Sequence, residues 1–220
     1  MNDLSLKKKT FFKINKILKK LYPNIKIALN FSNPWELLVS TILSAQATDK
    51  KVNEITLDLF KKYKTVEDYA EANLKEFEKD ISKINYYKTK AKNIIESAKI
   101  ILEKFNGQVP QTMEELLQLK GVGRKTANVI LSNAFYKDYG IVVDTHVKRF
   151  SLMYHLTNYS DPLKIEQDLM KIVPKKEWRE FPLRLISYGR DYCPSRACLL
   201  YTSPSPRDRT RSRMPSSALK

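Results

Sequence analysis

The sequence predicts an all-α protein. Three observations carry that prediction. Apolar residues recur at three- and four-residue spacing along most of the 220 residues. Ser, Thr, Asn or Asp stands at the head of several such runs, with Pro or Glu following at the offsets that start helices. The sequence holds no pair of alternating apolar–polar stretches joined by a short turn, so no hairpin of strands is expected.

The elements follow in order. Leu6 to Tyr22 sets Leu6, Phe12, Ile14, Ile17, Leu18 and Leu21 at helical spacing. Ser32-Asn33-Pro34 starts a second helix, with proline at the first helical position, where its missing N–H costs nothing. Trp35, Leu37, Leu38, Ile42 and Leu43 are that helix's apolar residues. Thr48-Asp49 caps a third helix running towards Tyr63, and Thr65 opens a fourth. Tyr87 to Phe105 is long and periodic, and Asn106-Gly107 stops it in the left-handed conformation that glycine favours. Thr112 and Glu115 have the spacing of a capping box and open a short helix ending at Leu119. Asp161-Pro162 opens a late helix through Ile165, Leu169 and Ile172. Helices joined by short loops are the expected architecture.

Composition bounds the function. A 42% hydrophobic content supports a packed core, and a 29% charged fraction is ordinary. The formal charge of +16 points to negatively charged partners, nucleic acid above all, although a lysine-rich solvated surface gives the same count. No apolar run reaches the roughly 18 residues of a membrane span. Met1 to Lys9 is charged rather than apolar, so a cytoplasmic protein with no membrane partner is expected. The two cysteines, Cys193 and Cys198, are a poor disulfide framework for such a compartment.

Two of only five glycines sit together in Leu119-Lys120-Gly121-Val122-Gly123-Arg124-Lys125-Thr126-Ala127-Asn128. A helix ends, two glycines turn the chain around Val122, and another helix starts at once. The backbone N–H groups and the positive helix end then point to one place, a site that binds phosphate. Gly-x-Gly alone is equally an ordinary helix–helix turn. The basic pair Arg124 and Lys125 favours phosphate.

This run resembles the helix-hairpin-helix of the endonuclease III family, in which the hairpin carries the catalytic lysine. Two further segments match in order. Ser44-Ala45-Gln46-Ala47-Thr48-Asp49 looks like the family's helix end that enters DNA, and Val143-Asp144-Thr145-His146-Val147 looks like its aspartate motif. The resemblance spans roughly residues 6 to 193. Lys120 departs from it, standing where the family often has proline, a change in turn rigidity rather than chemistry.

The resemblance implies a two-lobed helix-hairpin-helix DNA glycosylase fold acting as a monomer on damaged double-stranded DNA. One lobe would span 28–137; the other would join 1–27 to 138–197. It implies Lys125 as nucleophile and Asp144 as its carboxylate partner, with Gln46, Tyr86, Gly121, Val122, Gly123, Arg124, Thr145 and His146 at the DNA. Extruding a nucleotide leaves a hole, which Gln46 and the loop Ile84-Asn85-Tyr86-Tyr87 would fill. Tyr86 and Tyr87 are equally read as packing at a helix start, and Gln46 as a helix-end residue. Lysine can attack C1′ and form a Schiff base once its amine is neutral; burial, a nearby cation such as Arg124 and the helix's positive end favour that form. Taken without the resemblance, Lys125 reads as a solvated lysine or a phosphate contact, and Asp144 also reads as an N-cap. His146 is expected to be structural or near the DNA. A lysine in the hairpin separates glycosylase–lyases from glycosylases that only remove the base, and the substrates implied are oxidised pyrimidines.

The family also ends in four cysteines, C-x6-C-x2-C-x5-C, that bind a [4Fe–4S] cluster. Cys193 matches the first ligand, but the second falls on Leu200 and Cys198 comes too early. This chain is therefore not expected to hold the cluster. Residues 198–220 are rich in Ser, Pro and Arg without apolar periodicity, and resemble the in-frame translation of a sequencing adapter. A basic disordered tail binding DNA nonspecifically has the same composition.

Overall fold

Apolar faces at helical period must be buried against one another, and the computed structural model, which describes residues 3–193, does so with helices alone; no strand occurs among these residues. The helices are α1 (Asp3–Leu21), α2 (Pro34–Ser44), α3 (Asp49–Lys62), α4 (Val66–Ala70), α5 (Leu74–Asp80), α6 (Tyr87–Phe105), α7 (Met113–Leu116), α8 (Arg124–Ala134), α9 (Thr145–Met153), α10 (Pro162–Ile172) and α11 (Glu180–Asp191), with a short 3-10 turn at Lys175–Glu177.

The expected start signals act through their side chains. Asn33, Thr48, Thr65 and Asp161 each accept a hydrogen bond from a backbone N–H of the following first turn. Thr65 and Asp68 form a reciprocal capping box. Asn106 and Gly107 both take positive φ where α6 ends. Two expectations change. The helix opened by Thr112 ends at Leu116, and the chain reaches Leu119 as a turn. Helices α5, capped by Asn73, and α11, which has no side-chain cap, are additions to the elements read from sequence; for α5 the cap was the signal.

The helices enclose two apolar cores. The larger draws on residues from Leu29 to Leu131 and centres on Leu37, Leu38, Leu43, Tyr69, Phe77, Ile94 and Ile101. The smaller joins Phe11 and Leu18 of α1 to residues between Ile141 and Cys193. The chain therefore leaves the second core after α1, builds the first, and returns at Ile141. Two ion pairs reach across: Arg124 on α8 to Glu166 on α10, and Asp49 on α3 to Arg190 on α11. The expected residues 198–220 lie outside the described residues.

Candidate active site

The site begins with the turn between α7 and α8. Gly121 has φ +75, a conformation open to glycine, and a Cβ there would stand 2.8 Å from the Asn93 side-chain nitrogen. The Ser97 hydroxyl donates to the Lys120 carbonyl at 3.0 Å, pinning the turn to α6. Val122 is buried in the larger core. Gly123 is exposed, with open space where a side chain would stand, and is the N-cap of α8 without any side-chain cap. The first N–H groups of α8 thus face outward, ready for an anion.

Lys125 follows on the first turn of α8. It is exposed, and its amine has no ion pair or hydrogen bond among the described residues. The same helix sends Ala127, Ile130 and Leu131 into the larger core, which fixes the direction of that turn. Asp144 belongs to the smaller core's side, between buried Ile141 and Val147. It is the N-cap of α9, its Oδ1 accepting from the Val147 N–H at 2.8 Å. The cap occupies one carboxylate oxygen, so capping and chemistry are compatible.

Lys125 and Asp144 line one cleft of ≈ 280 Å³ between the two cores. They are not in ion-pair contact, which leaves room for a substrate between amine and carboxylate. Gln46, Thr41 and Asn133 line the cleft from the larger core's side, Ser187 and Arg190 from α11. Sequence reasoning missed Arg190 and Asp49, which bond at 2.7 Å on the wall. Asp49 belongs to the Thr48-Asp49 start signal, and only the fold brings Arg190 to it.

Gln46 lines the cleft, and the segment carrying Tyr86 is bonded to it through Asn85. Both have left-handed backbones, φ 56 and 58, and both are exposed. The Asn85 amide donates to the Gln46 carbonyl at 2.9 Å, joining the two segments. Tyr86, at 66% exposure, is not a packing residue; Tyr87, half-buried, packs against the larger core. Strained non-glycine residues cost about 1–3 kcal/mol each and collect at functional sites.

Arg124 stands at the head of α8. Its guanidinium turns from the hairpin to Glu166, with Nε to Oε2 at 3.0 Å and Nη2 to Oε1 at 3.2 Å. Asn128 adds a bond to the same carboxylate at 3.1 Å. Arg124 is thus ion-paired to Glu166 while its side chain keeps 45% of its surface exposed. A Cβ on Gly140 would fall 1.8 Å from Glu166 Oε1, so the glycine admits the carboxylate. Thr145 is exposed at the start of α9. His146 lies against Gly189 of α11 and within 3.4 Å of the Arg149 guanidinium. Burial lowers its pKa, Arg149 and Arg190 add to that, and Asp144 opposes it.

The [4Fe–4S] cluster implied by the resemblance does not fit the residues present. A cluster of this kind takes four thiolates, and the chain has two cysteines. Cys193 is buried and disulfide-bonded, so it is not a free thiolate ligand. No group of three or more His, Cys, Asp or Glu among the described residues could hold a metal.

Comparison with known proteins agrees with this geometry. The HhH-GPD superfamily base excision DNA repair protein family matches residues 39–175. Endonuclease III of Synechocystis sp. is 45% identical over 196 residues, covering 89% of this chain and 90% of that protein. A non-covalent endonuclease III–DNA complex and a trapped endonuclease III–DNA covalent intermediate each superpose with a TM-score of 0.84 at 41% identity, covering 90% of this chain and 92% of theirs. A hairpin lysine facing an N-cap aspartate across a cleft, on an all-helical chain this similar to those proteins, means that the chain belongs to the endonuclease III family of HhH-GPD base excision repair proteins, which are DNA glycosylases and abasic-site lyases.

Proposed function

We propose that this protein removes oxidised pyrimidines from duplex DNA through Lys125 and Asp144, then nicks the abasic strand. The observation that carries the reading is the placement of an unpaired lysine amine and a half-buried carboxylate on one cleft, each held by a different core. The Lys125 nitrogen attacks C1′ and gives up its protons; the bond to the base breaks and its electrons leave with the base, which takes up a proton. The sugar ring opens to an imine. Loss of a proton from C2′ then expels the 3′ phosphate by β-elimination. The Asp144 oxygen not used in the cap stabilises the developing sugar cation and handles protons. That one relative was caught as a covalent intermediate with DNA supports this route.

Gly121, Val122 and Gly123 would present backbone donors to a phosphate, and Thr145 would add a hydroxyl at the start of α9. His146, which burial keeps towards its neutral form, would contribute a hydrogen bond rather than a charge. Gln46 and Tyr86 would fill the space left by the extruded nucleotide. The two cores would be two lobes, 28–137 and 1–27 with 138–197, and the DNA would cross the cleft between them. No helix among the described residues is long and apolar enough to cross a membrane; work on DNA fits a cytoplasmic, nucleoid-associated monomer.

Base release and strand nicking on a thymine glycol duplex test the proposal. Lys125→Ala should lose both activities by roughly a hundredfold or more. Base release without nicking from the parent chain would indicate a glycosylase lacking lyase action. Equal binding of damaged and intact duplex without turnover, falling steeply with salt, would indicate a non-catalytic hairpin module.

A further inference from the structure

Lysine is rarely buried without a carboxylate partner. Lys90, on the first turn of α6, is 6% exposed and has no ion pair among the described residues. Its amine donates to the Leu43 carbonyl at 2.9 Å and to the Ala45 carbonyl at 2.5 Å. Those carbonyls belong to the last turn and C-cap of α2, where helical carbonyls lack partners and the helix dipole is negative. The residue after Ala45 is Gln46.

Lys90 also touches the second wedge segment. Its backbone N–H donates to the Tyr86 carbonyl at 3.1 Å. One residue therefore holds the carbonyl before Gln46 with its side chain and that of Tyr86 with its main chain. Asn85 closes the other side through its bond to the Gln46 carbonyl. Left-handed Gln46 and left-handed Tyr86 are thus framed by hydrogen bonds from the stretch Asn85–Lys90, and such backbones persist only where the surroundings hold them. Lys90 does not line the cleft.

We propose that Lys90 is a positioning residue for DNA entry: it locks Gln46 and Tyr86 into one rigid wedge and so governs nucleotide extrusion rather than the chemistry at C1′. This rests on Gln46 and Tyr86 being the residues that replace the extruded nucleotide. The buried ammonium is held at a cost, since burial depresses its pKa. An unbranched apolar residue of similar length would pack there without that cost but could not hold the two carbonyls. Lys90→Met therefore separates packing from positioning.

The test compares two substrates in the full chain. Base release from thymine glycol in a duplex requires extrusion and a filled hole. Strand cleavage at an abasic site in single-stranded DNA requires neither. Lys90→Met and Asn85→Ala should slow duplex base release about tenfold while changing single-strand cleavage by less than about twofold. Lys90→Arg, which keeps donors, should recover part of the loss. Lys90→Met releasing base from duplex at the parent rate would overturn the proposal, as would equal losses on both substrates. If circular dichroism shows Lys90→Met unfolded, Asn85→Ala decides by the same pair of rates. The double variant Gln46→Ala, Tyr86→Ala separates the levels: parent-like duplex rates there sink the wedge itself, whereas a slow double variant beside a parent-like Lys90→Met sinks only the positioning role.

Discussion

The two cores are built on different principles. The larger is apolar, with a cluster of rings from Trp35, Tyr63, Tyr69 and Phe77 whose centroids lie 5.2 to 5.6 Å apart. It even leaves the Trp35 indole nitrogen and the Tyr69 hydroxyl without hydrogen-bond partners. The smaller core has fewer apolar residues and is tied by buried charge. Arg184, 2% exposed, bonds Glu177 at 3.1 Å, bonds Glu180, and donates to the Tyr22 carbonyl at 3.3 Å. Lys19 of α1 completes the network through Glu177. The smaller core is assembled from distant parts of the chain, and charge pairs specify which parts meet. The proposed catalytic pair divides along the same line, Lys125 on the apolar side and Asp144 on the charged side.

The largest effect should come from unbalancing that network. Arg184→Met leaves buried Glu177 short of a partner and should cost about 3–5 kcal/mol, read by urea unfolding. Hydrogen exchange should quicken first in α1 and α11. Next is an apolar truncation in the larger core: Leu37→Ala should cost about 2–5 kcal/mol, with exchange rising in α2 and α8 instead. The same opening pattern in both variants would erase the distinction between cores.

Gly140→Ala should cost about 1–3 kcal/mol by overpacking, because its new methyl meets a carboxylate held by both Arg124 and Asn128. Acid provides a more graded probe. Burial alone would raise the Glu177 pKa, but the bonds from Lys19 and Asn15 and the charges of Lys19 and Arg184 outweigh it and lower it. A carboxyl so lowered contributes stability that is complete above its ordinary value of 4.5 and is lost as pH falls through the lower folded value. Exchange in the smaller core should therefore rise below about pH 4.5 before the larger core opens, and Glu177→Gln should flatten that response. The smallest effect belongs to Arg190→Gln at the cleft wall, a half-exposed pair worth under about 1 kcal/mol. A larger loss there would make that bridge a true structural link between the cores.

The fold was legible because its signals are local. Caps at Asn33, Thr48, Thr65 and Asp161 act within one turn, and α6 begins and ends where its periodicity does. Helix α5 escaped because only Asn73 marks so short an element. At the proposed site, three ordered motifs name Lys125, Asp144 and Gln46, and all three line one cleft. What the sequence did not carry were pairings between elements forty or more residues apart: Arg190 with Asp49, Arg124 with Glu166, and Lys90 with the end of α2. Arg124 shows the limit most clearly, since nothing beside it in sequence announces its partner Glu166, 42 residues away.

The most direct measurement is borohydride reduction on a duplex with one abasic site, followed by peptide mapping of the crosslinked protein. The account predicts a single crosslink at Lys125 that disappears in Lys125→Ala. A crosslink of equal yield in that variant, or one mapped to another lysine, would contradict it.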